Sequence, residues 1–220
     1  MDKTAITQTE KVVVDVDLAI AAVSQLRNEK NLQFMRDVAR ELIRAFRAGG
    51  KVIVAGNGGS LCDAAHFAEE CTGFFSKNRR PALPAIALTE PGHITCTAND
   101  IGYEWVFARG VEAYGREGDL FIGLSTSGNS LSIIKAFEVA KEMGLRTCAF
   151  LGKDGGSLHG VADYELVISG FQQSDRVQEA HMAAMHIIIG LVEEELFPQP
   201  LGLHESLLQN YIERKKRAPL

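Results

Sequence analysis

Apolar residues recur at helical spacing along the first part of the chain. Val12, Val13, Leu18, Ala19, Val23 and Leu26 form one series, and Phe34, Met35, Val38, Leu42, Ile43 and Phe46 form another. The polar run Arg27-Asn28-Glu29-Lys30-Asn31 divides them, and Gly49-Gly50 supplies the stop expected at a helix C-terminus. Two helices are predicted, an N-terminal arm over about residues 1–50.

From residue 51 the pattern changes to short apolar runs alternating with helical stretches. The runs are KVIVA at 51–55, PAIAL at 84–88, DLFIGL at 119–124, RTCAFL at 146–151 and YELVI at 164–168. Most are apolar almost without interruption, as strands buried on both faces of a parallel sheet are. Between them lie helical periods such as Leu131, Ile134, Phe137 and Ala140, each three residues after the last. The repetition predicts an α/β fold, a doubly wound sandwich with a five-stranded parallel sheet flanked by helices. A long last helix is expected at about 175–197, apolar at Val177, Met182, Met185, Ile188, Ile189, Val192 and Leu196, and stopped by Pro198 and Pro200.

This reads as one domain over 1–197 that includes the arm, with a tail at 198–220. The tail is partly helical in pattern and basic at Arg214-Lys215-Lys216-Arg217, a charge run expected of a solvated end. Two arm helices ahead of a closed sandwich must bury their apolar stripes on the sheet helices or against another copy of the chain. Spacing leaves that choice open.

Composition narrows the class. With 220 residues, 46% hydrophobic and 23% charged, the chain can close one full core and is not of disordered composition. A net charge of -5 argues against a fold-wide nucleic-acid-binding surface. The longest apolar stretches, such as Ile187-Ile188-Ile189, fall far short of the roughly 20 residues of a membrane span. The polar start Met1-Asp2-Lys3-Thr4 leads into no signal-peptide core. Cys62, Cys71, Cys96 and Cys148 form no C-x-x-C pair and read as reduced thiols of a cytoplasmic protein.

Several constellations could carry chemistry. Gly56-Asn57-Gly58-Gly59-Ser60 follows a predicted strand and precedes a helix, where glycines admit a ligand to the backbone and free N–H groups favour anions. No Gly-Lys-Ser/Thr follows, and Leu61 stands where a dinucleotide fingerprint needs its third glycine, so a tight turn is an equal reading. Ser125-Thr126-Ser127-Gly128-Asn129-Ser130 joins another strand to a helix. Its four hydroxyls exceed what an N-cap requires and make a phosphate cradle without lysine. His66 and Glu70, four apart in HFAEE, share one helix face and could grip a metal or a proton path if partners approach.

The last helix offers Gln178, His181 and His186. Gln178 and His186 are eight residues apart, roughly 12 Å of rise, so they converge only through a distorted first turn or from different subunits. His181 and His186 compete by spacing alone. Asn99-Asp100 is expected in a loop before Tyr103-Glu104-Trp105, as a turn or as polar contacts for a sugar.

Together the strings AGNGGS, HFAEE, LSTSGNS, GKDGGSL and DRVQEAHMAAMH resemble the sugar isomerase (SIS) domain, and within it the phosphoheptose isomerases, over about residues 10–197. The resemblance implies the SIS fold and conversion of sedoheptulose 7-phosphate to D-glycero-D-manno-heptose 7-phosphate, the first step toward ADP-heptose for the lipopolysaccharide core. It also implies a cytoplasmic homotetramer with active sites at subunit interfaces and one zinc per subunit. Asn57, Gly58, Gly59, Asn99 and Asp100 would contact substrate, and Ser125, Thr126, Ser127 and Ser130 would hold its phosphate. His66, Glu70, Gln178 and His186 would form the metal set, with Glu70 and His186 also catalytic and Glu70 and Gln178 touching substrate. The family thereby selects His186 over His181. Ketose–aldose isomerisation through an enediol needs a carboxylate base and a second acid/base, which Glu70 and His186 supply. The rival readings are a non-catalytic SIS protein that associates with the bacterial replication initiator, a sugar-phosphate-sensing regulatory domain, and an isomerase of a hexose or pentose phosphate.

Overall fold

The computed structural model describes residues 6–76 and 79–198, with positions 212, 213 and 216 of the tail. The prediction for 198–220 therefore lies almost wholly outside the described residues. Among the described residues, five parallel strands form one sheet: β1 (Val52–Gly56), β2 (Ala85–Ala87), β3 (Leu120–Ser125), β4 (Arg146–Gly152) and β5 (Tyr164–Ile168), in the order β2-β1-β3-β4-β5. Each predicted apolar run is one of these strands. The helices are α1 (Gln8–Ser24), α2 (Glu29–Arg47), α3 (Gly59–Thr72), α4 (Pro91–Asp100), α5 (Ala108–Tyr114), α6 (Leu131–Glu142) and α7 (Ser174–Leu196).

Alternation of strand side chains decides which helices pack where. Val52, Val54, Leu120, Ile122, Phe150 and Leu166 belong to one core with Phe34 and Leu42 of α2, Phe67 of α3 and Ile188 of α7. Ile53, Ala55, Phe121, Ala149 and Leu151 belong to the other, with Val111 of α5 and Ile133 and Phe137 of α6. Both faces of the sheet are dry, which is why the strands read as continuous apolar runs. In α6 the three-residue spacing includes one false member. Leu131 is 70% exposed, because the buried face runs through Ile133, Ala136, Phe137 and Ala140 and the first residue of the helix lies outside it.

The two arm helices have different fates. A 3-10 turn (Gln25–Arg27) separates them, and Asn28 caps α2 by accepting from the Asn31 N–H at 2.8 Å. α2 buries Phe34, Met35, Val38 and Leu42 in the helical layer. α1 buries only Ala22 and leaves Val12, Val13, Val14, Val16 and Ile20 more than half exposed. Packing on the sheet helices thus accounts for the apolar face of α2, whereas α1 lies against α7 and still leaves most of its apolar stripe open.

From β1 the chain moves to one side for β2 and to the other for β3, so sheet order reverses between β1 and β3. In open parallel sheets the crevice beyond the strand C-termini at such a point is where ligands bind. No described helix is long and apolar enough to cross a membrane.

Candidate active site

Beyond the C-terminal ends of β1 and β3 lies a cavity of about 380 Å³, lined by Asn57–Ser60, Leu124–Thr126, Ser130, Ser174 and Gln178. Three helix N-termini contribute to it. α3 begins at Gly59, α6 follows Ser130 and α7 begins at Ser174. Helix N-termini carry unpaired N–H groups and the positive end of the dipole, so the cavity suits an anion. None of these lining side chains is charged; backbone and hydroxyl groups do the recognising.

Local chemistry explains the two loops. Gly58 adopts a φ of +57°, which glycine holds without strain. Asn57 is braced from two sides: its Nδ2 donates to Ser132 Oγ at 3.0 Å and its Oδ1 accepts from the Tyr103 hydroxyl at 2.7 Å. At Gly128 (φ +65°) a Cβ would fall 1.8 Å from the Gly155 carbonyl oxygen, so the hydroxyl loop needs a bare α-carbon against the GKDGGSL segment. Ser125 Oγ is buried and has no hydrogen-bond partner among the described residues. Buried hydroxyls are rarely left so, and this one lines a polar cavity. Thr126 and Ser174 hydroxyls lie 3.0 Å apart at the same wall. Ser127 is placed differently from its neighbours. Its Oγ accepts from the Asn129 N–H and its carbonyl from Asn129 Nδ2, so it shapes the turn instead of lining the cavity.

Asn99 and Asp100 are not in a loop. They end α4, which Glu90 caps at Gly92 and His93 and which runs to Asp100, two residues before Gly102 (φ +133°). Both are exposed and outside the cavity lining, with Asn99 Nδ2 donating to Asp100 Oδ1 at 2.7 Å.

α3 and α7 run side by side away from the cavity. At their N-terminal ends Gln178 Nε2 donates to Ser60 Oγ at 3.2 Å. Six residues on in α3 and eight in α7, about 9 and 12 Å of rise, His66 and His186 meet with ring centroids 5.1 Å apart. His66, Glu70 and His186 each offer a ligand atom within 4.8 Å of the others. His66 Nε2 and Glu70 Oε1 are 3.2 Å apart, and Phe75 stacks on the His186 ring with centroids 5.7 Å apart. The Nε2 of His186 is buried and has no partner among the described residues. Two imidazoles and a carboxylate with one nitrogen unengaged fit a divalent metal with an open position. Gln178 is not a member of this cluster within one chain. α7 is regular where Gln178 sits, in its second turn, so no distorted first turn carries it toward His186.

Burial separates the two histidines that spacing left equal. His181 is fully buried, its Nε2 bonds the Leu151 carbonyl at 3.0 Å, and burial pulls its pKa down to about 4. It is a neutral core residue. Motif strings pass over Asp63, Phe75 and Tyr103. Asp63 lies one turn before His66 on the same face, its Oδ2 buried without a partner among the described residues. Burial pushes its carboxyl up to about 6, against the opposing pull of His66. The spacing of Asp63, His66 and Glu70 at i, i+3 and i+7 is the signal in the sequence that marks it.

The SIS domain family matches residues 17–152. The phosphoheptose isomerase of Fusobacterium nucleatum is 56% identical over 174 residues, 79% of this chain and 89% of that protein. That of Pectobacterium atrosepticum is 51% identical over 174 residues, 79% of this chain and 90% of that protein. The solved structure of phosphoheptose isomerase GmhA from Neisseria gonorrhoeae matches with a TM-score of 0.79 at 32% identity, over 86% of this chain and 100% of that one. A phosphoheptose isomerase from Francisella tularensis matches with a TM-score of 0.80 at 30% identity, over the same shares, 86% and 100%. With its fold, its hydroxyl-lined cavity and its His–Glu–His cluster in place, the chain belongs to the SIS-domain family, in the phosphoheptose isomerase group of sugar-phosphate isomerases.

Proposed function

We propose that this chain converts sedoheptulose 7-phosphate to D-glycero-D-manno-heptose 7-phosphate, the first step toward ADP-heptose for the lipopolysaccharide core. One observation carries the reading: the anion cavity and the His66–Glu70–His186 cluster lie on the same α3–α7 seam, with His66 and His186 about 9 and 12 Å, and Glu70 about 15 Å, of helix rise from the Ser60–Gln178 contact at the cavity. An extended seven-carbon sugar separates its phosphate from C1 by roughly 10 Å at ordinary bond lengths. Phosphate held by Ser125, Thr126 and Ser130 then directs the sugar chain along that seam toward the cluster. Ser127 supports that cradle through its turn. Asn57, Gly58, Gly59 and Gln178 line the path, and Asn99 and Asp100, just ahead of Tyr103, are assigned to sugar hydroxyls.

Glu70 takes the proton from C1 of the ketose and delivers it to C2 of the resulting enediol. His186 moves a proton between the two oxygens. His66 orients the Glu70 carboxylate from 3.2 Å. His66, Glu70 and His186 would hold one zinc per subunit, which when bound stabilises negative charge on the substrate oxygens. Gln178 completes that ligand set only from a second subunit.

The open apolar stripe on α1 supports a homotetramer with active sites at subunit interfaces, since apolar faces of that kind are buried by another copy. Four free cysteines support a cytoplasmic location. The paired carboxylate and imidazole favour an isomerase over a non-catalytic initiator-binding SIS protein or a sugar-phosphate sensor. Incubating the protein with sedoheptulose 7-phosphate, with and without a chelator, tests the reading: turnover is expected, and no aldose product with metal present refutes it. In Glu70→Gln, turnover and bound zinc are measured separately. Full turnover there removes Glu70 from the mechanism.

A further inference from the structure

The last turn of α3 ends on carbonyls that no further helical N–H can reach, among them those of Glu70 and Cys71. A single buried side chain meets both. Arg80, from the segment leading to β2, donates from one terminal nitrogen to the Glu70 carbonyl at 2.7 Å and from the other to the Cys71 carbonyl at 2.8 Å and the Pro81 carbonyl at 3.0 Å. Its Nε donates to Glu193 of α7, and the two side chains are only 2% and 9% exposed. Glu193 lies seven residues, two turns, beyond His186 on the same helix, hence on the same face. One guanidinium therefore grips the residue carrying the candidate base at its own backbone and ties that helix end to the helix carrying the candidate imidazole.

Such a pair is hard to explain by stability. Two charges taken out of water cost about what their attraction returns, and well-packed apolar residues often serve as well or better. What apolar residues cannot do is hold two α3 carbonyls and an α7 carboxylate in one plane, as the forked donor geometry of arginine does. We infer that Arg80, with Glu193, is a positioning residue that sets the distance and orientation of Glu70 relative to His186. This rests on the proposed roles of those two residues.

The test uses two variants of the full chain. The double variant Arg80→Met/Glu193→Met removes both charges, so neither is left buried alone, and it abolishes the grip on the Glu70 carbonyl. Arg80→Lys keeps the ion pair but cannot fork to both carbonyls, and stands in if the double variant does not fold. Thermal unfolding, cobalt(II) titration of the His66/Glu70/His186 cluster with its visible spectrum, and kcat and KM on sedoheptulose 7-phosphate are measured for each. At a melting temperature close to the wild type, kcat and cobalt affinity are each expected to fall by about 10–100-fold, the usual effect of losing a group that orients a metal ligand. KM changes little, because the hydroxyl cradle is untouched. Wild-type kcat and an unaltered cobalt spectrum in a folded variant overturn the positioning role alone. A wild-type protein that shows neither turnover nor a cobalt spectrum removes the reading beneath it, and the positioning role with it.

Discussion

His181 makes the folded chain sensitive to acid, and the size of the effect can be worked out. Its ordinary pKa is 6.5 and burial lowers it to about 4 in the folded state. Below pH 6.5 the unfolded chain takes up a proton that the folded chain refuses until about pH 4. Stability from this residue is therefore complete above its unfolded pKa and is lost as pH falls toward the folded one. Integrating the proton uptake gives a loss of about 2 kcal/mol between pH 7.5 and pH 5, rising to about 3 kcal/mol when both states are titrated. Asp63 works in the opposite direction. Its carboxyl, raised from 3.8 to about 6 by burial, binds a proton first in the folded state and adds stability as pH falls through 6. An Asp63→Asn background therefore isolates the histidine. Urea unfolding at fixed protein concentration, compared at pH 7.5 and pH 5, is measured with and without His181→Leu. At pH 7.5, where His181 is neutral in both states, the substitution costs about 1 kcal/mol, because the Leu151 carbonyl loses its donor. It should also flatten the pH dependence by about 2 kcal/mol. If the leucine variant loses stability toward pH 5 as steeply as its parent, His181 is not the buried neutral group described.

Other substitutions separate folding from ligand binding. Ser125→Ala removes a buried hydroxyl with no partner among the described residues, so the melting temperature should hold or rise while KM for a phosphorylated substrate increases by about tenfold, a loss of roughly 1.4 kcal/mol; unchanged KM would remove this hydroxyl from the phosphate site. Gly59→Ala places a Cβ 2.5 Å from the Gln178 amide, the movable end of a side chain, so the fold should survive on thermal unfolding while Gln178 shifts and KM or turnover suffers. Val16→Glu on the open stripe of α1 should leave each subunit folded and lower the assembly mass in sedimentation, with turnover falling alongside. Native alkylation should leave Cys71 and Cys148 unmodified, since both are buried and burial raises both thiols, Cys71 to about 12.

Much of this molecule is legible in one dimension because its signals are local. Five runs of apolar residues specify strands by being buried on both sides, and the glycine and hydroxyl loops specify turns into helices through conformations that few other residues adopt. The pair His66 and Glu70 is visible for the same reason, four residues being one turn of one helix. Asn99 and Asp100 show the limit even locally: a polar pair shortly before a glycine looks like a loop, yet both residues lie in the last turn of α4. The tertiary structure alone made the remaining choices. Which histidine of α7 is chemical depends on what lies opposite: His181 faces the dry underside of β4, and His186 faces His66 and Phe75. The same packing placed Gln178 at the cavity, Tyr103 on Asn57 and Arg80 between α3 and α7, contacts spanning tens of residues that no spacing rule encodes. Periodicity reports which face of an element is buried. It carries no record of which other element covers that face, and that is where the site was made.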